Sequence, residues 1–209
     1  LDSLNIGGGF PIRTSLNFDY DYQYMAEEIL NQIKTICNQN NVPEPNIYSE
    51  FGIYTVGEAG AIFYKILDQK QQNDRELWNM INSSFMTTLP DSWALNQKFI
   101  LLPLNHWDYE YQRVFLGGLT CDSRDYYNTE AHANAIFLPK FTPSDPLYLG
   151  FFHTGVYQDA LGGYGGIQHC LIPAPKHVLI DLDEDKEYYT KLYAKEQSYK
   201  SMLKILGYM

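Results

Sequence analysis

Four short stretches of this sequence carry residue types and spacings that can do chemistry. Gly7-Gly8-Gly9 closes a short apolar run that begins at Leu1 and ends at Ile6. Glycine lets a backbone approach an anion closely, with N–H groups aimed at it. The C-terminal end of a strand is also where α/β folds bind ligands. The triplet fits either an anion cradle or a plain tight turn. No Gly-Lys-Ser/Thr follows it, which excludes a Walker-type loop. Glu50-Phe51-Gly52 ends the next strand-like run, at Ile47 to Ser49. In a barrel, Glu50 would share the triplet's face, either as an ordinary loop acid or as the partner that keeps a pyridine nitrogen protonated. Thr120-Cys121-Asp122-Ser123 follows a third β-like run, Val114 to Leu119. A thiol beside a carboxylate can set a proton donor next to a cation-binding group, and a buried structural thiol is the competing reading. Tyr157, in Gly155-Val156-Tyr157-Gln158, can offer its hydroxyl to a phosphate or simply pack, as one of 18 tyrosines.

These residues need elements to hold them. Tyr24, Met25, Ile29, Leu30, Ile33, Ile36 and Cys37 recur at helical spacing, with Asp19 or Asp21 as the expected cap and Asn40 to Pro45 as the stop. Strand, loop, helix, strand, loop is the grammar of a parallel α/β sheet or barrel. Residues 68–82 are polar and read as an exposed connection with some helix. From Phe99 onward the grammar changes. Short runs at 99–102, 114–119, 135–138, 147–152 and 177–181 are separated by Pro, Gly, Asn and Asp, which predicts antiparallel strands. The tail from Lys195 is amphipathic and predicts a docked helix with Tyr199, Met202, Leu203 and Leu206 on one face. The glycines from Gly162 to Gly166 are followed by Pro173 and Pro175 rather than by a helix, so they are no dinucleotide fingerprint.

Composition narrows the function classes. The chain has 209 residues, 45% of them hydrophobic, and a net charge of −10. That length supports one large or two small domains. The acidity argues against nucleic acid or an anionic membrane as partner and is compatible with a small cationic substrate. Cys37, Cys121 and Cys170 are few and scattered, which predicts neither a disulfide framework nor a zinc site and fits a cytoplasmic protein. His106, His132, His153, His169 and His177 show no metal-ligand spacing, so no metal is expected. The sequence enters at once on a strand with no upstream partner. This reads as a piece of a longer polypeptide whose earlier strands lie elsewhere.

Taken in order and with their intervening distances, the four stretches resemble the alanine-racemase-like (fold type III) decarboxylases that use pyridoxal 5'-phosphate (PLP). Residues 89–97 (LPDSWALNQ) and Thr120-Cys121-Asp122-Ser123 are similar to the wording of the biosynthetic arginine decarboxylases within that family. The resemblance implies an α/β plus all-β fold: the C-terminal part of a PLP-binding (β/α)8 barrel, followed by a mainly antiparallel β domain. Residues 1–67 would belong to the barrel, 68–98 would connect, and 99–209 would form the β domain with its terminal helix. Gly7, Gly8 and Gly9 would cradle the cofactor's phosphate. Phe51, Gly52 and Ile53 would add backbone N–H groups, and Tyr157 would reach the phosphate from the β domain. Glu50 would pair with the pyridinium nitrogen. Cys121 would cross a homodimer interface and protonate the substrate carbon, and Asp122 would meet the distal cation.

The implied reaction is decarboxylation of L-arginine to agmatine and CO2, on the way to polyamines such as spermidine. A basic amino acid such as ornithine, lysine or diaminopimelate is the alternative substrate, and a non-catalytic regulatory homologue is the alternative class. Two departures stand out. Ile53 replaces an arginine of the family, and residues 163–172 differ from its usual His-Asn-Leu-Phe-Gly-Asp. The lysine that forms the Schiff base with PLP is expected upstream of Leu1, so this chain alone would be inactive.

Overall fold

The computed structural model describes residues 2–127, 136–162 and 169–209. The first unit is a βαβ element. Strand β1 (Ser3–Asn5) leads through the site loop to helix α1 (Tyr22–Gln39) and on to β2 (Asn46–Tyr48). β1 and β2 pair in parallel, with Leu4 opposite Ile47. A parallel pair requires a crossover of this kind. The Asp21 carboxylate accepts from the Tyr24 N–H at 2.9 Å and caps α1, relieving one of the donors every helix start leaves unpaired. Helix α2 (Gly52–Val56) follows β2 and runs into a single 3-10 turn, Gly57–Ala59.

The sheet that carries the β unit starts earlier than the sequence suggested. Strands β3 (Ala61–Asn73) and β4 (Glu76–Ile81) form a hairpin, so the boundary expected at 67/68 falls inside β3 and residues 68–82 are no helical connection. The reason is the polar far end of β3, residues 68–73. Gln69 lies opposite Asn79 in the ladder and donates to its carboxamide oxygen at 2.8 Å, so polar residues pair across the strands where an apolar pattern would have announced them. Two short helices follow, α3 (Phe85–Thr88) and α4 (Pro90–Leu95). Pro90 opens α4 where its missing N–H costs nothing, and Asn96 ends it in a left-handed conformation.

Strands β5 (Ile100–Pro103), β6 (Tyr111–Gly117), β7 (Ile136–Pro139) and β8 (Tyr148–Phe152) complete a six-stranded sheet of order β5-β8-β3-β4-β6-β7. All its pairings are antiparallel except β4 with β6. Alternate residues point inward: Tyr64 and Ile66 from β3, Val114 and Leu116 from β6, Leu149 and Phe151 from β8. They close on Phe85 and Leu89 beneath the sheet. The Tyr127 hydroxyl reaches both the N–H and the carbonyl of Phe99, which satisfies a buried phenol.

Helix α5 (Gln158–Leu161) follows β8. A second hairpin, β9 (His177–Leu182) with β10 (Tyr188–Ala194), and helix α6 (Tyr199–Ile205) complete the chain. Of the four residues expected on the docked face of α6, Met202 is buried, whereas Tyr199 and Leu206 are exposed. No helix among the described residues is long and apolar enough to cross a membrane. His132 and residues 163–168 of the glycine-rich stretch lie outside the described residues, as does the first residue of the strand expected at 135–138.

Candidate active site

The end of β1 and the end of β2 meet through the backbone. Ile6 donates to the Tyr48 carbonyl at 2.9 Å, and Glu50 donates to the Gly7 carbonyl at 2.8 Å. Gly7 and Gly9 have φ of +75° and +81°, the left-handed region that glycine adopts without strain. Gly8 is constrained differently. A Cβ there would sit 2.2 Å from the Glu50 carbonyl oxygen, so only glycine lets the two strand ends approach this closely. Asn5 Nδ2 donates to Glu50 Oε1 at 2.7 Å, and Asn5 Oδ1 accepts from the Gly7 N–H at 2.8 Å. One side chain, overlooked in the sequence, therefore orients both the carboxylate and the glycine loop.

Helix α2 starts directly after Glu50. Phe51 occupies its cap position and makes no side-chain cap hydrogen bond to the first-turn N–H groups. From the other side, the loop after β8 docks on this segment: Thr154 donates to the Gly60 carbonyl and Gly155 to the Gly57 carbonyl, each at 3.0 Å. A Cβ on Gly155 would lie 2.1 Å from the Val56 carbonyl oxygen. The contact brings Tyr157 over the glycine loop. Gly8, Gly9, Glu50, Gly52, Ile53 and Tyr157 line one cavity of roughly 620 Å³. Gly155, Val156 and Val56 complete it. Gly7 and Phe51 stand behind this lining. Gly7 accepts from Glu50, and Phe51 packs its ring edge-on against Phe10.

Tyr157 has φ of +63°, a strained value for a non-glycine residue, and something must hold it there. Gln158 does so. It is buried, its Nε2 donates to Asp91 Oδ2 at 2.7 Å, and its Oε1 accepts from the Asp91 N–H at 3.2 Å. The conspicuous 89–97 segment thus acts on the cavity through Asp91 and Gln158.

Cys121 and Asp122 do not line this cavity. They sit at the tip of the loop after β6, organised by buried Asp125. Its carboxylate accepts from the Phe85 N–H at 2.8 Å, from the Thr120 N–H at 3.0 Å and from the Thr120 hydroxyl at 2.7 Å. A Cβ on Gly118 would collide with it at 2.3 Å. Asp125→Ala would strand the buried Phe85 and Met86 N–H groups away from water, at about 1–3 kcal/mol for each one left unpaired. Urea unfolding of the variant is expected to show a loss of about 3 kcal/mol or more.

Asp122 Oδ1 accepts from the Arg124 N–H at 2.7 Å. Cys121 is exposed, not a buried structural thiol. Its Sγ lies 3.6 Å from Cys170 Sγ, although the two residues are 49 positions apart. That hydrogen bond and the charge of Cys170 push the Cys121 thiol up from its ordinary value, and Asp122 adds to this. His169 also has its ring nitrogen in reach of both sulfurs. Cys121 and Cys170 are scattered in sequence only, and three-dimensional proximity is something linear spacing does not carry.

No family model matches the chain. The biosynthetic arginine decarboxylase of Prochlorococcus marinus (strain MIT 9312) is 32% identical over 132 residues, which is 61% of this chain and 20% of that protein. The chain therefore aligns with about one fifth of such relatives. The crystal structure of the biosynthetic arginine decarboxylase from Campylobacter jejuni superposes with a TM-score of 0.80 at 20% identity, covering 100% of this chain and 49% of the other. Diaminopimelate decarboxylase from M. jannaschii superposes with a TM-score of 0.74 at 18% identity, over 98% of this chain and 42% of the other. The β1-α1-β2 unit and the antiparallel β unit are accordingly the C-terminal barrel part and β domain of that fold. By sequence the chain is similar to part of the biosynthetic arginine decarboxylases, and its fold is similar to that of arginine and diaminopimelate decarboxylases of known structure.

Proposed function

We propose that this chain forms part of a PLP-dependent decarboxylase that converts L-arginine to agmatine and CO2 in polyamine biosynthesis. The observation that carries the reading is the single cavity lined by Gly8, Gly9, Glu50, Gly52, Ile53 and Tyr157. Its donor set suits the cofactor. A glycine loop with no room for a Cβ at Gly8, an uncapped helix start and a tyrosine hydroxyl favour a phosphate. The carboxylate that Asn5 steadies favours a protonated ring nitrogen. Ile53 brings no charge, so this position would meet the phosphate through its backbone rather than through a guanidinium.

When bound, PLP supplies an electron sink for the bonding pair released as CO2 leaves. The protein supplies the rest. Glu50 keeps the proton on the ring nitrogen. The Cys121 thiol donates a proton to the carbon that has lost its carboxylate, so one proton takes the place of CO2. Asp122 has one carboxylate oxygen engaged by Arg124 and turns the other toward the substrate guanidinium. Because Cys121 and Asp122 stand apart from the glycine cavity, they serve the cavity of a second copy. The enzyme acts as a homodimer in the cytoplasm.

The test incubates the full polypeptide with PLP and L-arginine and measures CO2 and agmatine together. Stoichiometric release of both is expected. Release from ornithine, lysine or diaminopimelate in place of arginine would overturn the substrate, and release from none of the four would overturn the enzyme reading.

A further inference from the structure

Cys121, His169 and Cys170 form a cluster that the proposed reaction uses only in part. Their potential ligand atoms all lie within 4.8 Å of one another. The two sulfurs are 3.6 Å apart. Tetrahedral zinc, with Zn–S bonds of about 2.3 Å, holds two thiolates about 3.7 Å apart. The sulfurs thus already stand at the spacing of a metal-site edge. A second observation points the same way. The Nδ1 atom of His169 is buried and has no hydrogen-bond partner among the described residues. Such an atom costs free energy unless something accepts or ligates it. Cys170 and Leu171 both adopt positive φ, 52° and 57°, a turn that sets the His169 and Cys170 side chains against the loop carrying Cys121.

We propose that Cys121, His169 and Cys170 bind a thiophilic divalent cation, Zn2+ in the first instance. Two sulfurs and one imidazole are soft and borderline donors, which selects zinc over magnesium or calcium. Three protein ligands leave the fourth position open, as in zinc sites that exchange a ligand with solvent. Binding displaces the thiol protons, so affinity rises with pH. A consequence rests on the proposed function: zinc on Cys121 removes its sulfur from the reaction, making the site an inhibitory one.

The experiment uses the purified protein, stripped with EDTA, kept reduced with a phosphine and titrated with Co2+ as a coloured stand-in for Zn2+. One equivalent per chain is expected, with a thiolate-to-cobalt charge-transfer band and the strong visible bands of a tetrahedral site, all abolished by one equivalent of Zn2+. His169→Ala and Cys170→Ser should each weaken binding by more than about 100-fold, beyond what loss of an outer contact costs. Cys37→Ser, in α1 and far from the cluster in sequence, should leave it unchanged. Absence of a thiolate band in the unsubstituted protein would overturn the site, and so would binding that survives both ligand substitutions. Activity is read separately, as Zn2+ inhibition reversed by EDTA. A cobalt–thiolate spectrum on a protein that decarboxylates nothing keeps the site and sinks the decarboxylase. An active protein with no such spectrum does the reverse.

Discussion

Glu50→Gln is expected to lower kcat for arginine by on the order of 10²–10³-fold while PLP remains bound. The substitution is nearly isosteric, and Asn5 Nδ2 can still donate to the remaining carbonyl oxygen as it does to Oε1, so the loop geometry survives. What is lost is the negative charge. A neutral amide does not hold a proton on a pyridine nitrogen, and an unprotonated ring accepts the electron pair poorly. The residues proposed to hold the phosphate, Gly8, Gly9 and the start of α2, are untouched. Cofactor absorbance should therefore report full loading beside a collapsed kcat. A variant that loses PLP instead would place Glu50 in cofactor retention rather than in catalysis. Asn5→Ala should fall between the two, because the carboxylate stays charged but loses its orienting partner.

What the sequence made legible is local. Asp21 caps α1 because an aspartate just ahead of a helical apolar pattern has one good use. Gly8 marks a close approach because no other residue permits it, Gly7 and Gly9 take left-handed turns that glycine adopts without strain, and Glu50 shares their face because both end neighbouring parallel strands. What escaped is long-range or polar. The β3–β4 hairpin hid behind Gln69, Lys70 and Gln71, since a strand whose partners are polar shows no alternation of apolar residues. Asp91 and Gln158 find each other across 67 positions, and Asp125 reaches Phe85 across 40, with nothing in either neighbourhood to announce it. Asn5 had a usable signal: a carboxamide at the last position of a strand whose ladder partner runs straight into a glutamate. Cys121 and Cys170 had none. Each lies in an irregular loop, and only the folded chain sets their sulfurs side by side.

That placement shapes the second large expected effect. Cys121→Ser, assayed with EDTA present, is expected to slow arginine decarboxylation by about 10²–10⁴-fold, the span of a lost general acid. A serine hydroxyl fills the thiol's place but holds its proton far too tightly to deliver it. Asp122 is unchanged, so KM for arginine should move little, whereas Asp122→Asn should act mainly on KM. The pH profile carries a further signature. Cys170 and Asp122 push the Cys121 thiol up, with His169 the other titratable group beside it. A raised value keeps the donor protonated beyond the ordinary thiol range. Activity then declines only as pH climbs through that raised value, and the serine variant lacks this limb. The strongest check uses two inactive proteins. If Cys121 serves the cavity of a second copy, a dimer pairing a Glu50→Gln subunit with a Cys121→Ser subunit has one doubly damaged site and one intact site. Random mixing should then restore about a quarter of normal activity, since half the dimers are mixed and each has one good site of two. If the thiol acts within its own chain, every site in the mixture carries one defect and the mixture stays inactive.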